Sequence, residues 1–76
     1  MDYAYDFAVG QQIRAAREAC GLTQEQLAAR LQTNGCDLTR SAVAKIEVGQ
    51  RHIYVAELRA FRNALNVPFD QLLPEA

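Results

Sequence analysis

Four residues within one short stretch of this chain carry groups suited to reading the edge of a nucleobase: Arg40, Ser41, Ala42 and Lys45. A guanidinium can fork onto guanine O6 and N7, and a hydroxyl can bond a base edge or a phosphate. A methyl can touch a thymine methyl, and an ammonium one turn on from Ser41 can reach a base or the backbone. Such chemistry needs a stiff element with one face left free. The stretch Leu22 to Gly49, LTQEQLAARLQTNGCDLTRSAVAKIEVG, supplies it as two short helices joined by a turn. Thr23 can accept from the backbone N–H of Gln26, whose side chain can reach back to Thr23, and Leu22 with Leu27 forms a hydrophobic staple. Thr39 repeats the start with Leu38 and Val43 as its staple, although Ala42 stands where a capping Glu or Gln would complete the box. The second helix is expected over Arg40 to Val48, with Val43 and Ile46 on its apolar stripe and Gly49 as its stop.

These residues resemble a family. GLTQEQLAARL, a break, and then TRSAVAKIEVGQR are similar to the helix-turn-helix of phage repressor and Cro proteins, the Xre type. The resemblance runs from Val9 to Leu73 and is carried most specifically by the Gly-Leu-Thr-Gln start and the Ile-Glu-x-Gly end. It departs from the family at Gln32 to Leu38, QTNGCDL, where the turn between the two helices is enlarged. It implies that Arg17 and Glu47 form a partly buried ion pair joining the first helix to the third, the alternative for Arg17 being contact with DNA. It also implies that Gln24 holds a phosphate, as a free helix N-terminus favours, against the plainer reading of a polar first-turn residue. After Gly49 the family's connection follows the DNA backbone, which here offers Arg51 and His52 to phosphate; a lone His is otherwise a surface residue.

Composition sets the frame. A chain of 76 residues with 50% hydrophobic residues makes one domain over 1–76 and excludes a disordered chain. No apolar run is long enough to span a membrane, and MDYAYDFAVG lacks the features of a signal peptide, so a cytoplasmic protein is expected. Cys20 and Cys36 then fit as free thiols rather than a disulfide, without C-x-x-C or a His cluster for metal. The net charge of −1 is low for a nucleic-acid binder, but seven of the eight basic residues are arginine, the better fork for phosphate and guanine. The blander alternative is that the arginines outside the second helix form a solvated face.

In chain order, residues 1–6 are expected to form a loose arm, with Tyr3, Tyr5 and Phe7 covering an edge of the core. A first helix over Phe7 to Cys20 buries Val9, Ile13, Ala16 and Cys20, and Gly21 closes it. The next, Gln24 to Leu31, buries Leu27, Ala28 and Leu31. A fourth, Val55 to Leu65, turns Val55, Leu58, Phe61, Ala64 and Leu65 inward and Glu57, Arg59, Arg62 and Asn63 outward. Pro68 opens a short fifth helix.

The expected architecture is all-α: five helices in a lambda-repressor-like domain, with the helix-turn-helix in helices 2 and 3 and its turn enlarged. One His, no phosphate loop after a strand and no nucleophile with an orienting partner argue against an enzyme, and no cofactor or metal is expected. The expected function is sequence-specific binding of double-stranded DNA as a small transcriptional repressor. Arg40, Ser41, Ala42 and Lys45 would contact bases, while Gln24, Thr39, Arg51 and His52 would hold phosphates. Val67, Phe69, Leu72 and Leu73 resemble the surface through which phage-type repressors pair, so a homodimer through the C-terminal helix on an inverted-repeat operator is expected. Closing the bottom of the core is the alternative use of those four residues. The competing function is a protein-interaction module of the same fold, an antitoxin or partner-dependent regulator.

Overall fold

The computed structural model describes residues 4–74, and these form α1 (Ala4–Ala19), α2 (Gln24–Thr33), α3 (Arg40–Glu47), α4 (Val55–Leu65) and α5 (Phe69–Leu72), with no strand among them. Helix α1 begins at Ala4, so residues 4–6 belong to a helical turn rather than to a loose arm; Met1 to Tyr3 lie outside the described residues. Asp6 in the first turn suits the positive end of the helix dipole. Tyr5 and Phe7 do not cover the core but stay 57% and 49% exposed.

Local chemistry sets where the central helices start and stop. The Thr23 hydroxyl accepts from Gln26 N at 3.1 Å while Gln26 Oε1 accepts from Thr23 N at 2.8 Å, completing the capping box. Thr39 Oγ1 accepts from Ala42 N at 3.2 Å, without a reciprocal bond. Helices α1, α2 and α3 end on one paired closure. Gly21, Gly35 and Gly49 each donate N–H to the carbonyl three residues back, and Leu22, Cys36 and Gln50 donate to the one five back. Helix α2 therefore runs two residues past the expected Leu31, and α3 stops one short of Val48.

The five helices bury one cluster in which Ile13, Leu27, Leu31, Val43, Ile46, Phe61, Leu65 and Leu72 are no more than 2% exposed. Leu58 packs against that cluster half-buried. Two residues expected inside lie outside it. Cys20 is exposed just past the end of α1 at Ala19, where its thiol lies at the rim of the bundle, 3.7 Å from the Leu65 carbonyl. Val55 is 85% exposed: it lies on the inward stripe of α4 but in a first turn that extends beyond the core. Both cysteines are free thiols.

Helix α1 lies with its backbone directly against the end of α3. A Cβ at Gly10 would overlap the Ile46 carbonyl oxygen and stand 2.9 Å from that of Glu47. Gly49, at φ +74°, brings its α-carbon against Phe7, where a Cβ would meet the Phe7 Cα at 2.9 Å. Alanine propagates a helix better than glycine by about 1 kcal/mol. Overpacking against rigid backbone costs about 1 to 3 kcal/mol, and here it falls on two carbonyls that cannot rotate away. Gly10→Ala is therefore expected to lower the melting temperature by about 5 °C or more. A melting curve at or above that of the parent would show that α1 can move off α3 freely.

Candidate nucleic-acid interface

Helix α3 keeps Val43, Ile46 and Glu47 inside, leaves Ala42 and Ala44 half-buried, and presents Arg40, Ser41 and Lys45 to solvent. Its start faces the start of α2 across a cleft of about 490 Å³, lined by Arg17, Thr23, Gln24, Glu25 and Arg40. Two of the predicted contact residues, Gln24 and Arg40, thus share one hollow, and the Glu25 carboxylate shares it with them.

Beneath the cleft lies a buried charge network. Arg17 donates from Nε to Glu47 Oε2 at 2.7 Å and from Nη2 to Glu47 Oε1 at 3.0 Å, while its Nη1 donates to the Leu22 carbonyl at 2.8 Å. The two side chains are 11% and 1% exposed. The bonds to Glu47 raise the Arg17 pKa above its ordinary value, against the opposing effect of burial. Gln24 Nε2 also donates to Glu47 Oε1, at 3.0 Å, so the residue expected at phosphate is first a member of this network. Gln11 Nε2 adds a bond to the Glu47 carbonyl at 2.9 Å.

Beyond the end of α3, the two residues expected at the DNA backbone are both engaged within the protein. Arg51 forms a bidentate pair with Glu57, Nη1 to Oε1 at 2.9 Å and Nη2 to Oε2 at 3.0 Å, and Nη1 also donates to the His52 carbonyl at 2.9 Å. Glu57, expected to face outward, is half-buried; the Arg51 guanidinium holds its pKa below the ordinary value, and Oε1 also accepts from Tyr54 N at 3.1 Å. His52 Nδ1 stands 3.4 Å from Asp6 Oδ1, and its ring meets that of Tyr54 edge-on at 5.1 Å. Glu57 as the third residue of α4 is a capping signal legible in the sequence. The His52 contact with Asp6 has no such signal.

The enlarged turn is bonded rather than loose. Gln32 Nε2 donates to the Leu38 carbonyl at 2.9 Å, Leu38 N donates to the Cys36 carbonyl at 2.9 Å, and the Leu38 side chain is buried. Burial pushes the Cys36 thiol pKa up, away from a reactive thiolate. Among the described residues no cluster of His, Cys, Asp and Glu could hold a metal, and no helix is long and apolar enough to cross a membrane.

Two abutting capped helices, the second with a polar outer face, are the arrangement of a DNA-reading pair, and a helix-turn-helix family model matches residues 13–72. The chain belongs to the Xre-type helix-turn-helix family of DNA-binding domains. Among solved structures, this helix-turn-helix protein is similar to the restriction-modification controller protein C.AhdI from Aeromonas hydrophila. The two are 34% identical over 93% of this chain and 96% of that one, with a TM-score of 0.83. The DNA-binding domain of BldD is similar at 26% identity over 97% of this chain and all of that one, with a TM-score of 0.82. The same domain from S. venezulae gives 26%, 92% and 97%, with a TM-score of 0.77. No curated protein matches. In this helix-turn-helix, α2 and α3 are the paired helices, and Glu47 at the end of α3 is where the network gathers.

Removing one partner of a buried, bonded ion pair costs about 3 to 5 kcal/mol, a large part of the stability of a small domain. Glu47→Ala strands the Arg17 guanidinium and also releases Gln24. It is expected to unfold much of the protein at room temperature, seen as lost ellipticity at 222 nm. A melting curve overlaying the parent's would show that the network contributes nothing.

Proposed function

We propose that this protein regulates transcription as a repressor by binding double-stranded DNA sequence-specifically, with α3 in the major groove. The observation that carries the reading is the charge inventory of α3. Arg14 pairs with Glu18, Arg17 with Glu47 and Arg51 with Glu57, whereas Arg40 and Lys45 are exposed with no side-chain partner among the described residues. An overall charge of −1 is compatible with DNA because the outer face of α3 is locally positive: three of the nine acids, Glu18, Glu47 and Glu57, are held by other arginines, and none of these three faces Arg40 or Lys45. The likeness to a controller protein and to a DNA-binding domain supports the same reading.

On this proposal Arg40 forks onto a guanine, Ser41 and Lys45 bond base edges or backbone, and Ala42 touches a thymine methyl. Thr39 accepts from Ala42 N and keeps its hydroxyl hydrogen for a phosphate. Gln24 uses one amide hydrogen on Glu47 and offers the second, together with the free N–H groups of the first turn of α2, to another phosphate. Arg51, clamped by Glu57, is a rigid donor beside His52 rather than a mobile one.

A module this small gains specificity most simply as a two-fold dimer on two half-sites. Leu72 is fully buried and closes the core, which leaves Phe69, at 39% exposed, and Leu73, at 36%, as the C-terminal surface for pairing. Recognition helices in such a dimer stand ~34 Å apart, over half-site centres about 10 base pairs apart.

Selection from a random duplex pool tests the reading, with sedimentation of the selected complex giving stoichiometry. An inverted repeat holding two protein molecules is expected; one molecule on a site without symmetry would exclude the dimer, and no enriched site would exclude sequence-specific binding. Arg40→Ala is expected to weaken the selected site by ~1 to 3 kcal/mol and relax preference at one base pair, with melting unchanged. Undiminished affinity would remove Arg40 from the groove.

A further inference from the structure

A second cationic surface lies away from α3. Two adjoining hollows, of about 420 and 330 Å³, run between the C-terminal half of α2 with its enlarged turn and the outer side of α4. Asn34 and Asn63 line both hollows; Arg59 lines the larger and Arg30 the smaller. Arg59 has no side-chain partner among the described residues, and Arg30 reaches only the Ala64 carbonyl, at 3.3 Å. The one acid that lines either hollow, Glu57, has both oxygens occupied by Arg51. The trough is therefore positive without an internal counter-charge, and Ala56 and Ala60 give its larger hollow an apolar side.

We propose that this trough is a docking site for an extended, acidic peptide segment of a partner protein, held by Arg30 and Arg59 and registered by Asn34 and Asn63. The chemistry selects the occupant. A side-chain amide presents one acceptor and two donors, which matches the donor and acceptor of a peptide unit. Asn34 makes no side-chain bond among the described residues, and Asn63 accepts one bond through Oδ1, from Arg62 at 3.3 Å, keeping its amide hydrogens. Guanidinium groups fork onto carboxylates, so acidic side chains of a strand entering the two hollows have partners on both helices. Alternate residues of a strand point the same way, as two hollows in series require. DNA phosphates accept only and leave the Asn34 carbonyl unmatched, and a duplex is too broad for hollows of this size.

The trough shares no residue with the cleft at Gln24 and Arg40. Helix α2 has ten residues, about 15 Å of length between its two ends, so the cleft and the trough lie at opposite ends of that helix. The proposal stands whether or not α3 reads DNA.

The probe is a short fluorescent peptide alternating Glu and Thr, titrated into the full chain labelled with ¹⁵N. Its controls are a Lys–Thr peptide of equal length and inorganic polyphosphate. Saturable binding of the acidic peptide is expected, with shifts at Asn34, Gly35, Ala60 and Asn63. Arg59→Glu should weaken it about tenfold or more while melting like the parent, and Arg40→Glu should leave it unchanged. No saturable binding, shifts centred on α3, or equal weakening by Arg40→Glu would overturn the proposal. Polyphosphate binding as tightly at the same residues would also overturn it, by reducing the trough to an unselective anion site.

Discussion

The arrangement of this protein depends on one buried carboxylate. Glu47 sits at the last turn of α3 and is 1% exposed, and a charge taken that far from water is tolerable only if it is fully bonded. Arg17 supplies two bonds from α1 and Gln24 supplies a third from α2. Arg17 also holds the Leu22 carbonyl, so the connection before α2 is tied to the same point. The net stabilisation of such a pair is small beside that of an apolar replacement. Its stronger effect is on specificity: any packing that separates α1 or α2 from the end of α3 strands a charge.

That constraint explains why the bundle can be small and still present α3 at a defined angle. Gly10 lets the α1 backbone lie directly on the Ile46 and Glu47 carbonyls, and Gln11 bonds the second of these. Gly49 lets the chain leave α3 against Phe7. Close contact and charge pairing act at the same end of α3, so the helix is anchored at its C-terminus, and its N-terminal Arg40 and Ser41 stay in solvent.

The charge balance follows the same economy. A net charge of −1 looks unsuited to a polyanion until the pairs are assigned, after which four of the cations without an ion-pair partner among the described residues fall on two separate surfaces. Arg40 and Lys45 lie on α3, and Arg30 and Arg59 lie along the α2–α4 trough. Arginines that look equivalent in the sequence therefore have distinct roles. Arg17 and Arg51 are structural anchors, Arg14 pairs with Glu18 along α1, Arg62 caps the Phe69 ring at 4.9 Å, and Arg30, Arg40 and Arg59 have no ion-pair partner among the described residues.

What the sequence determined by itself is everything that depends on neighbours within about one helical turn. The starts at Thr23 and Thr39, the glycine closures, the central stripes at Ile13, Leu27, Leu31, Val43 and Ile46, and the family are all written in short patterns. Periodicity does not mark where the core stops, and so it misplaces Cys20 and Val55, each at a helix end. Only the tertiary structure decided that Gln24 serves Glu47 from 23 residues away and that His52 meets Asp6 from 46 away. It alone showed why position 10 must be glycine. These contacts depend on where helices cross, which is set by the packing of the whole core and the need to bond every buried charge. No short pattern encodes that sum.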